Sequence, residues 1–258
     1  MSTLFLLSTI LFVCMVLIGG QKGVKSFLSL FINFIVIFFS IFFMMSPQID
    51  PIIIAAISSI IITCVNLFFI NEVNIKTWTA FISTLITIGL LFALIYIVTK
   101  VTMIQGFGEE EIDEIIPIFS LYIGVDFVKI ATSVMLMSTL GAIIDVAISI
   151  TSPMEEIFIH NPNINRKDLF KSGVTIGKDI LGSNANTLFF AFIGGYLALL
   201  IWFKDLSYTF LEIINSKIFT AQIITIFIAG IGIAIIIPIA SFINAYFLVH
   251  RNSSKKFY

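Results

Sequence analysis

Long apolar runs separated by short polar segments make up most of the chain. Seven of them approach or exceed the roughly 20 residues that a helix needs to cross the ~30 Å hydrocarbon core of a bilayer. They are Thr3 to Gly19, Ser26 to Met45, Pro51 to Ile70, Trp78 to Thr99, Asp126 to Pro153, Ala185 to Phe203 and Thr220 to Val249. The pattern predicts an all-α integral membrane protein with about seven transmembrane helices, and the first run lacks the basic leading segment of a signal peptide. Segment 112–124 is left open as interfacial, re-entrant or spanning.

A different periodicity occupies the loop between the fifth and sixth runs. Asn165, followed three positions later by Asp168, resembles a helix start, and apolar residues then recur every three or four positions as far as Leu181. This spacing predicts an amphipathic helix over 166–181, lying in the cytoplasmic membrane interface. Its polar side carries three lysines, Lys167, Lys171 and Lys178. An ordinary surface connector is the alternative interpretation.

Basic residues concentrate on one side of the predicted spans. Short loops rich in Lys and Arg are retained in the cytoplasm, so their distribution orients a multi-pass protein. One side carries Lys22, Lys25, Lys76, Arg166, Lys167, Lys171, Lys178, Arg251, Lys255 and Lys256, and the other carries Lys100, Lys204 and Lys217. This bias predicts an N-terminus outside and a cytoplasmic C-terminus, which requires an odd number of spans.

The composition excludes several classes of function. Of the 258 residues, 59% are hydrophobic and only 11% are charged, which is not the composition of a soluble globular domain. The net charge of −1 provides no basic field for nucleic acid. Cys14 and Cys64 stand alone in apolar runs, and His160 and His250 lack the spacing of a metal motif, so no disulfide, metal or cofactor is predicted. No enzyme is predicted either, because Asp145 has no second carboxylate at its depth.

Asp145 is the only ionisable residue between Leu140 and Thr151. A carboxylate in hydrocarbon is costly unless it is protonated, paired or beside water, so it marks a functional hypothesis. Small and polar residues share its helix face, namely Ser138, Gly141, Ala142, Ser149 and Ser152. We expect this face to contact protein or water, because small residues favour close helix packing in membranes. The later spans are predicted to bring polar neighbours to its depth: Asn186, Thr187, Ser241 and Asn244.

Charged residues nearer the membrane faces have structural interpretations. Lys129 lies sixteen positions from Asp145, about 24 Å along a helix, which is too far to neutralise it. We expect Lys129 to pair with Asp126 at i, i+3 near the outer interface. The acidic run GFGEEEIDEI in the outer loop is either a solvated helix start or a cation-attracting vestibule. Without a basic partner at its own depth, Asp145 is predicted to carry a proton or to bind a cation.

Two stretches of the sequence carry a family resemblance. GAIIDVAISITSPMEEI, which starts at Gly141, and FKSGVTIGKDILGSNANTLFFAFIGG, which starts at Phe170, resemble the YibE/F-like family of bacterial multi-pass membrane proteins. The resemblance extends over about Glu109 to Leu248. It implies a place in the bacterial inner membrane, contact with the lipid bilayer, and a homologous YibE/F-like partner or a homo-oligomer.

The same segment is similar, more distantly, to resistance-nodulation-division permeases and SecF-like export subunits. The first four apolar runs predict an N-terminal four-helix transmembrane region, 1–108. The similarity implies a permease-like transmembrane region, 109–258, which includes the amphipathic helix 166–181. The matching aspartate of those permeases takes part in proton relay, which implies the same role for Asp145. Positions assigned a structural or gating role are Gly141, Glu155, Glu156, Lys178, Asp179, Asp126 and Lys129. The chain departs from those permeases because no large extracytoplasmic domain interrupts it and no basic residue stands near Asp145.

The predicted function is that of a membrane transporter or permease subunit, coupled to a proton gradient through Asp145, with no substrate readable from the sequence. The alternative is a non-transporting assembly subunit of a larger membrane complex. Replacing Asp145 by Asn separates the two, because an assembly subunit tolerates a neutral side chain there and a proton-coupled transporter does not.

Overall fold

The computed structural model describes residues 3–46, 48–106 and 126–255, and within these ranges the regular structure is helical. The helices are α1 (Thr3–Gly19), α2 (Gln21–Met44), α3 (Pro51–Cys64) with a π-helical continuation (Val65–Phe69), α4 (Ile75–Thr102), α5 (Phe127–His160), α6 (Arg166–Gly195), α7 (Leu197–Asp205), α8 (Phe210–Asn215) and α9 (Lys217–Lys255). Polar side chains cap the N-termini of several helices. The Asn165 side chain accepts from the Asp168 N–H at 2.8 Å, which confirms the helix start predicted there.

Five helices in the described ranges are long and apolar enough to cross a membrane: α2, α3 with its π-helical end, α4, α5 and α9. α6 and α7 make a sixth candidate if they form one span, bent by 50°. α1 is apolar but has only 17 residues, near the lower limit for a span. All seven predicted runs therefore fall on helices. The regular structure of the described residues is helical throughout and includes five or six apolar candidate spans, as expected for a multi-pass membrane protein.

The first two helices form an antiparallel hairpin. The chain turns at Gly20, whose φ of 55° favours glycine because it has no Cβ. The rings of Phe12 and Phe27 then meet with their centroids 4.9 Å apart. Gly23 lies directly against the Met15 carbonyl, where any Cβ would overlap the backbone. The turn and the close approach together place α1 alongside α2.

The centre of the molecule is formed by α4, α5 and α9, with α6 packed on α9 and α3 packed on α5. At Gly232 of α9, an added Cβ would lie 2.8 Å from Leu91 of α4 and 3.3 Å from Ile143 of α5. This glycine lets the three helices approach closely, as small residues do in membrane bundles. A single buried cluster includes residues on both sides of the division predicted near residue 108, so the two predicted regions share a core. Most of the acidic run and all of segment 112–124 lie outside the described residues.

The predicted break between an interfacial helix, 166–181, and a span beginning at Ala185 is not observed. α6 is one continuous helix, antiparallel to α9 along its length. Successive contacts establish this: Gly173 meets Ser241, Gly177 meets Ile237, and the rings of Phe192 and Phe219 lie 6.0 Å apart. The periodic apolar face is real, but it packs against α9. The prediction failed because close packing on glycines and burial in an interface give the same helical spacing.

Candidate functional site

A polar stripe runs along the outside of α5. We call the α5 stripe the set Ser138, Gly141, Asp145, Ser149 and Glu156, which recur every three, four or seven positions and are all exposed. The opposite side of the helix is buried, with Ile143, Val146 and Ile150 fully covered. An added Cβ on Gly141 would touch nothing within 4 Å, so this face is open. The single chain therefore presents the α5 stripe outward, near the middle of a candidate span.

Asp145 is the ionisable centre of this stripe. Its side chain is exposed at the surface of the single chain and makes no hydrogen bond or ion pair with the rest of the described residues. Pro153, one turn beyond Ser149, lies inside the same helix and has no N–H, so it cannot donate the helical hydrogen bond to the Ser149 carbonyl. The stripe thus offers the carboxylates of Asp145 and Glu156 and the hydroxyls of Ser138 and Ser149 to whatever covers it.

None of the four predicted polar neighbours hydrogen-bonds Asp145 in the described structure. Asn244 and Ser241 are fully buried in the core, where Ser241 donates to the Ile237 carbonyl at 2.7 Å. Asn186 and Thr187 are exposed on α6, and Thr187 donates to the Ser183 carbonyl at 2.9 Å. Matching depth did not bring these groups together, because α9 and α6 lie on the buried side of α5 and the stripe faces away.

Asn244 instead ties three helices together. Its side-chain oxygen accepts from the Thr79 hydroxyl of α4 at 2.9 Å, and its side-chain nitrogen donates to the Thr151 carbonyl of α5 at 3.0 Å. Thr79, Ser83 and Thr87 form a buried hydroxyl row on α4, with spacing that favours one helix face. Sequence reasoning missed this row, although its i, i+4 spacing inside an apolar run was a readable signal. The two buried hydroxyl oxygens of Thr84 and Thr151 have no hydrogen-bond partner among the described residues.

Ion pairs connect neighbouring helices at both ends of the bundle. Lys76 of α4 and Glu155 of α5 lie 3.6 Å apart at one end, which gives Glu155 a structural partner. At the other end Lys129 bonds Asp50 at 2.5 Å, and together with the Ile52 N–H it holds the pKa of Asp50 below its ordinary value. The predicted pairing of Lys129 with Asp126 is therefore wrong. Asp126 caps α5 by accepting from two backbone N–H groups, and the Lys129 ammonium donates to Asp50 instead.

The remaining structural or gating candidates do not gather into a centre. Glu156 belongs to the α5 stripe, while Lys178 and Asp179 are exposed on α6. Over the described part of the chain, no group of three or more His, Cys, Asp or Glu side chains is arranged to hold a metal ion. The chemistry that the arrangement offers is proton exchange at a carboxylate and packing through a polar helix face.

Comparison with known proteins gives one family. A model described as YibE/F-like protein matches residues 7–250, nearly the whole chain rather than only the segment that carried the resemblance. No curated protein and no solved structure matches. The distant similarity to resistance-nodulation-division and SecF-like permeases therefore gains no support from these comparisons.

Proposed function

The chain belongs to the YibE/F-like family, and from that premise we propose that it is a subunit of a transporter or permease in the bacterial inner membrane. In this proposal transport is coupled to a proton gradient through Asp145. The observation that supports it most directly is the exposed Asp145 carboxylate on the outer face of α5, with no partner among the described residues. An intramembrane carboxylate is costly and is retained chiefly where it serves a function.

Proton coupling follows from what a lone carboxyl does in a membrane. A protonated carboxyl is neutral and packs against hydrocarbon or another helix, whereas the carboxylate requires water, a cation or hydrogen-bond donors. Gain and loss of the proton thus change the free energy of packing at the α5 stripe. If the two states open to opposite sides of the membrane, proton movement drives the change between them.

The proposal includes a partner that covers the α5 stripe. Interfaces between membrane helices are enriched in small and polar residues, and Ser138, Gly141 and Ser149 have that character. A second copy of this chain or a homologous YibE/F-like subunit would enclose Asp145 between two helical bundles. Coverage would also limit which side of the membrane reaches the carboxyl.

The proposed topology has seven spans, with the N-terminus outside and the C-terminus in the cytoplasm. Two ion pairs are consistent with it, because Lys25 lies 3.7 Å from Glu72 and Lys76 lies 3.6 Å from Glu155, all near the basic end. The Lys129–Asp50 pair then lies at the outer face. In this arrangement α1, at the lower limit of spanning length, crosses the membrane beside α2.

Proton uptake by proteoliposomes tests the proposal. The purified protein, with its partner if one copurifies, is reconstituted around the pH dye pyranine, and an imposed proton gradient or potassium diffusion potential drives uptake. We expect uptake above empty vesicles for the wild type and for Asp205→Asn, a control at an exposed carboxylate of α7. Asp145→Asn should abolish it and Asp145→Glu should retain part of it.

The alternative, a non-transporting assembly subunit, is favoured by the same outward stripe, since a polar face suits a fixed partner equally well. It predicts that Asp145→Asn assembles normally and changes no flux. Undiminished proton uptake in a well-inserted Asp145→Asn protein would exclude the proton-coupled proposal. Uptake that depends on Asp145 would exclude the purely structural alternative.

A further inference from the structure

A second surface of the molecule, away from the α5 stripe, is a groove between α4, α6 and α9. It has a volume of about 480 Å³. Its walls are apolar throughout, and its lining residues are Ile86, Phe170, Pro238, Ile239, Phe242 and Ile243. Ile86 and Phe242 are 45% and 53% exposed, so the groove opens on the side of the bundle rather than into the core. It is large enough for part of an extended apolar ligand.

A cation stands at one end of this groove. The guanidinium carbon of Arg166 lies 5.4 Å from the ring centroid of Phe242, a wall residue, and 4.7 Å from that of Tyr246. Arg166 makes no ion pair with the described residues. The nearest carboxylate in sequence, Asp168, bonds the Asn165 amide at 2.6 Å and lies 3.9 Å from Lys171. A guanidinium stacked on rings keeps the edge of its planar fork free for an anion.

Arg166 and the groove follow one another along the axis of α9. Arg166 is the first residue of α6, at the end of a candidate span, and the rings of Tyr246 and His250 stack beside it at 5.8 Å. Aromatic and basic side chains at the end of a span mark the headgroup level. From Tyr246 to Phe242 to Pro238, the α9 wall rises by about 6 Å per step into the apolar region. With α9 crossing a membrane, this surface would be cationic at the headgroup level and apolar toward the bilayer centre.

We propose that this groove binds an anionic phospholipid from the leaflet on the Arg166 side. The phosphate accepts hydrogen bonds from the Arg166 guanidinium, and an acyl chain lies along the groove against Ile239 and Phe242. Charge complementarity selects this occupant, because Arg166, a cation with no ion pair among the described residues, lies beside an apolar channel and matches an anionic amphiphile. A helix from a second copy would have to bury Arg166 or supply it with a carboxylate. The inference does not depend on proton coupling through Asp145.

Lipid retention in native mass spectrometry tests the site. The full-length protein is released from nanodiscs of equimolar phosphatidylglycerol and phosphatidylcholine, and the bound lipids are counted. We expect the wild type to retain phosphatidylglycerol over phosphatidylcholine by about fivefold, which corresponds to ~1 kcal/mol for one arginine near an anionic lipid surface. Arg166→Gln should bring the ratio close to one, while Lys204→Gln, an exposed charge on α7, should leave it unchanged.

Further variants separate the contribution of the apolar groove to lipid binding from that of the Arg166 charge. Ile239→Trp, which fills the groove, should reduce retention of both lipids, and Arg166→Lys should keep part of the preference because charge persists without the planar fork. An unchanged lipid ratio in folded Arg166→Gln protein would overturn the proposal. Loss of the phosphatidylglycerol preference on adding inorganic phosphate would also overturn it, because the site would then bind free anions. A dimer in which a cysteine at position 239 crosslinks to a second copy would overturn it as well, because the groove would then be a protein interface.

Discussion

Asn244 and Asp145 are both polar residues inside apolar helices, and their surroundings give them opposite roles. Asn244 is fully buried and bonds two other helices, so its polarity is satisfied within the chain. Asp145 is exposed and has no such bonds. The sequence identified Asp145 as isolated, and helical spacing placed the small residues on its face. It did not show that this face points outward, because that depends on α4 and α9 covering the other side.

The Asn244 bridge predicts a loss of stability on truncation. Asn244→Ala removes the Asn244 donor from the Thr151 carbonyl and leaves the Thr79 hydroxyl only the Ile75 and Lys76 carbonyls of its own helix, at a cost of about 1–2 kcal/mol. The melting temperature in detergent should fall by several degrees, while Asn186→Ala, at an exposed position, should change it little. Equal melting temperatures for wild type and Asn244→Ala would show that the bridge adds no stability.

The Lys129–Asp50 pair predicts a pH-dependent contribution. Asp50→Asn keeps the α3 cap, because asparagine caps as well as aspartate, but removes the ion pair. The pKa of Asp50 is lowered in the folded chain, first by the hydrogen bond from Lys129 and then by the Ile52 N–H. Its stabilisation is therefore present above the ordinary value of 3.8 and is lost as pH falls through the lower folded-state value.

Thermal melts of the wild type and Asp50→Asn at neutral and acidic pH check this sign. The variant should melt lower at neutral pH, and the gap should close in acid. Asp50→Ala, which also removes the cap, should melt lowest. A gap that widens toward acid would contradict the assignment of Lys129 to Asp50.

At the scale of helices, the hydrophobic pattern predicted the positions of the helices in the sequence better than it predicted their packing. The seven apolar runs all fall on helices, because a run of that length has few alternatives in a membrane. The continuity of α6 was not predicted, since Gly173 and Gly177 are compatible with either a polar face or a packing face. Only the side chains of α9, Ser241 and Ile237, decide between them.

The close packing of α6 on α9 at Gly177 predicts a loss of stability when this glycine is replaced. A Cβ at this position would lie 2.9 Å from Ile237 Cγ1, so Gly177→Ala forces α6 and α9 apart and should destabilise the protein by about 1–3 kcal/mol. Gly182→Ala is the matched control on the same helix, because nothing lies within 4 Å of its Cβ. It should be neutral or slightly stabilising, since alanine favours helix more than glycine. Equal melting temperatures for the two variants would contradict the close packing of α6 on α9.

For the whole molecule, orientation depends on the charge bias. In a background with Cys14 and Cys64 replaced by serine, we expect an impermeant maleimide to label Lys217→Cys in intact cells but not Lys171→Cys. Opening the cells should expose position 171. Labelling of position 171 from outside would reverse the orientation and the sidedness assigned to Asp145.

Assembly through the α5 stripe is tested in the same background. Ser138→Cys and Ser149→Cys should be joined to a second copy or a homologous subunit by a bifunctional maleimide in membranes. Ile53→Cys, on an exposed apolar position of α3, should not be. A monodisperse monomer that takes up protons without forming either crosslink would remove the partner from the proposal.

The most direct test of proton exchange at Asp145 is infrared difference spectroscopy on the reconstituted assembly during a pH change. The carbonyl stretch of a protonated carboxyl in an apolar environment should appear at low pH and disappear as pH rises. The band should be missing from Asp145→Asn and retained in Asp205→Asn. Difference spectra that are the same in the wild type and Asp145→Asn would show that Asp145 does not exchange protons, and the proton-coupled function would be rejected.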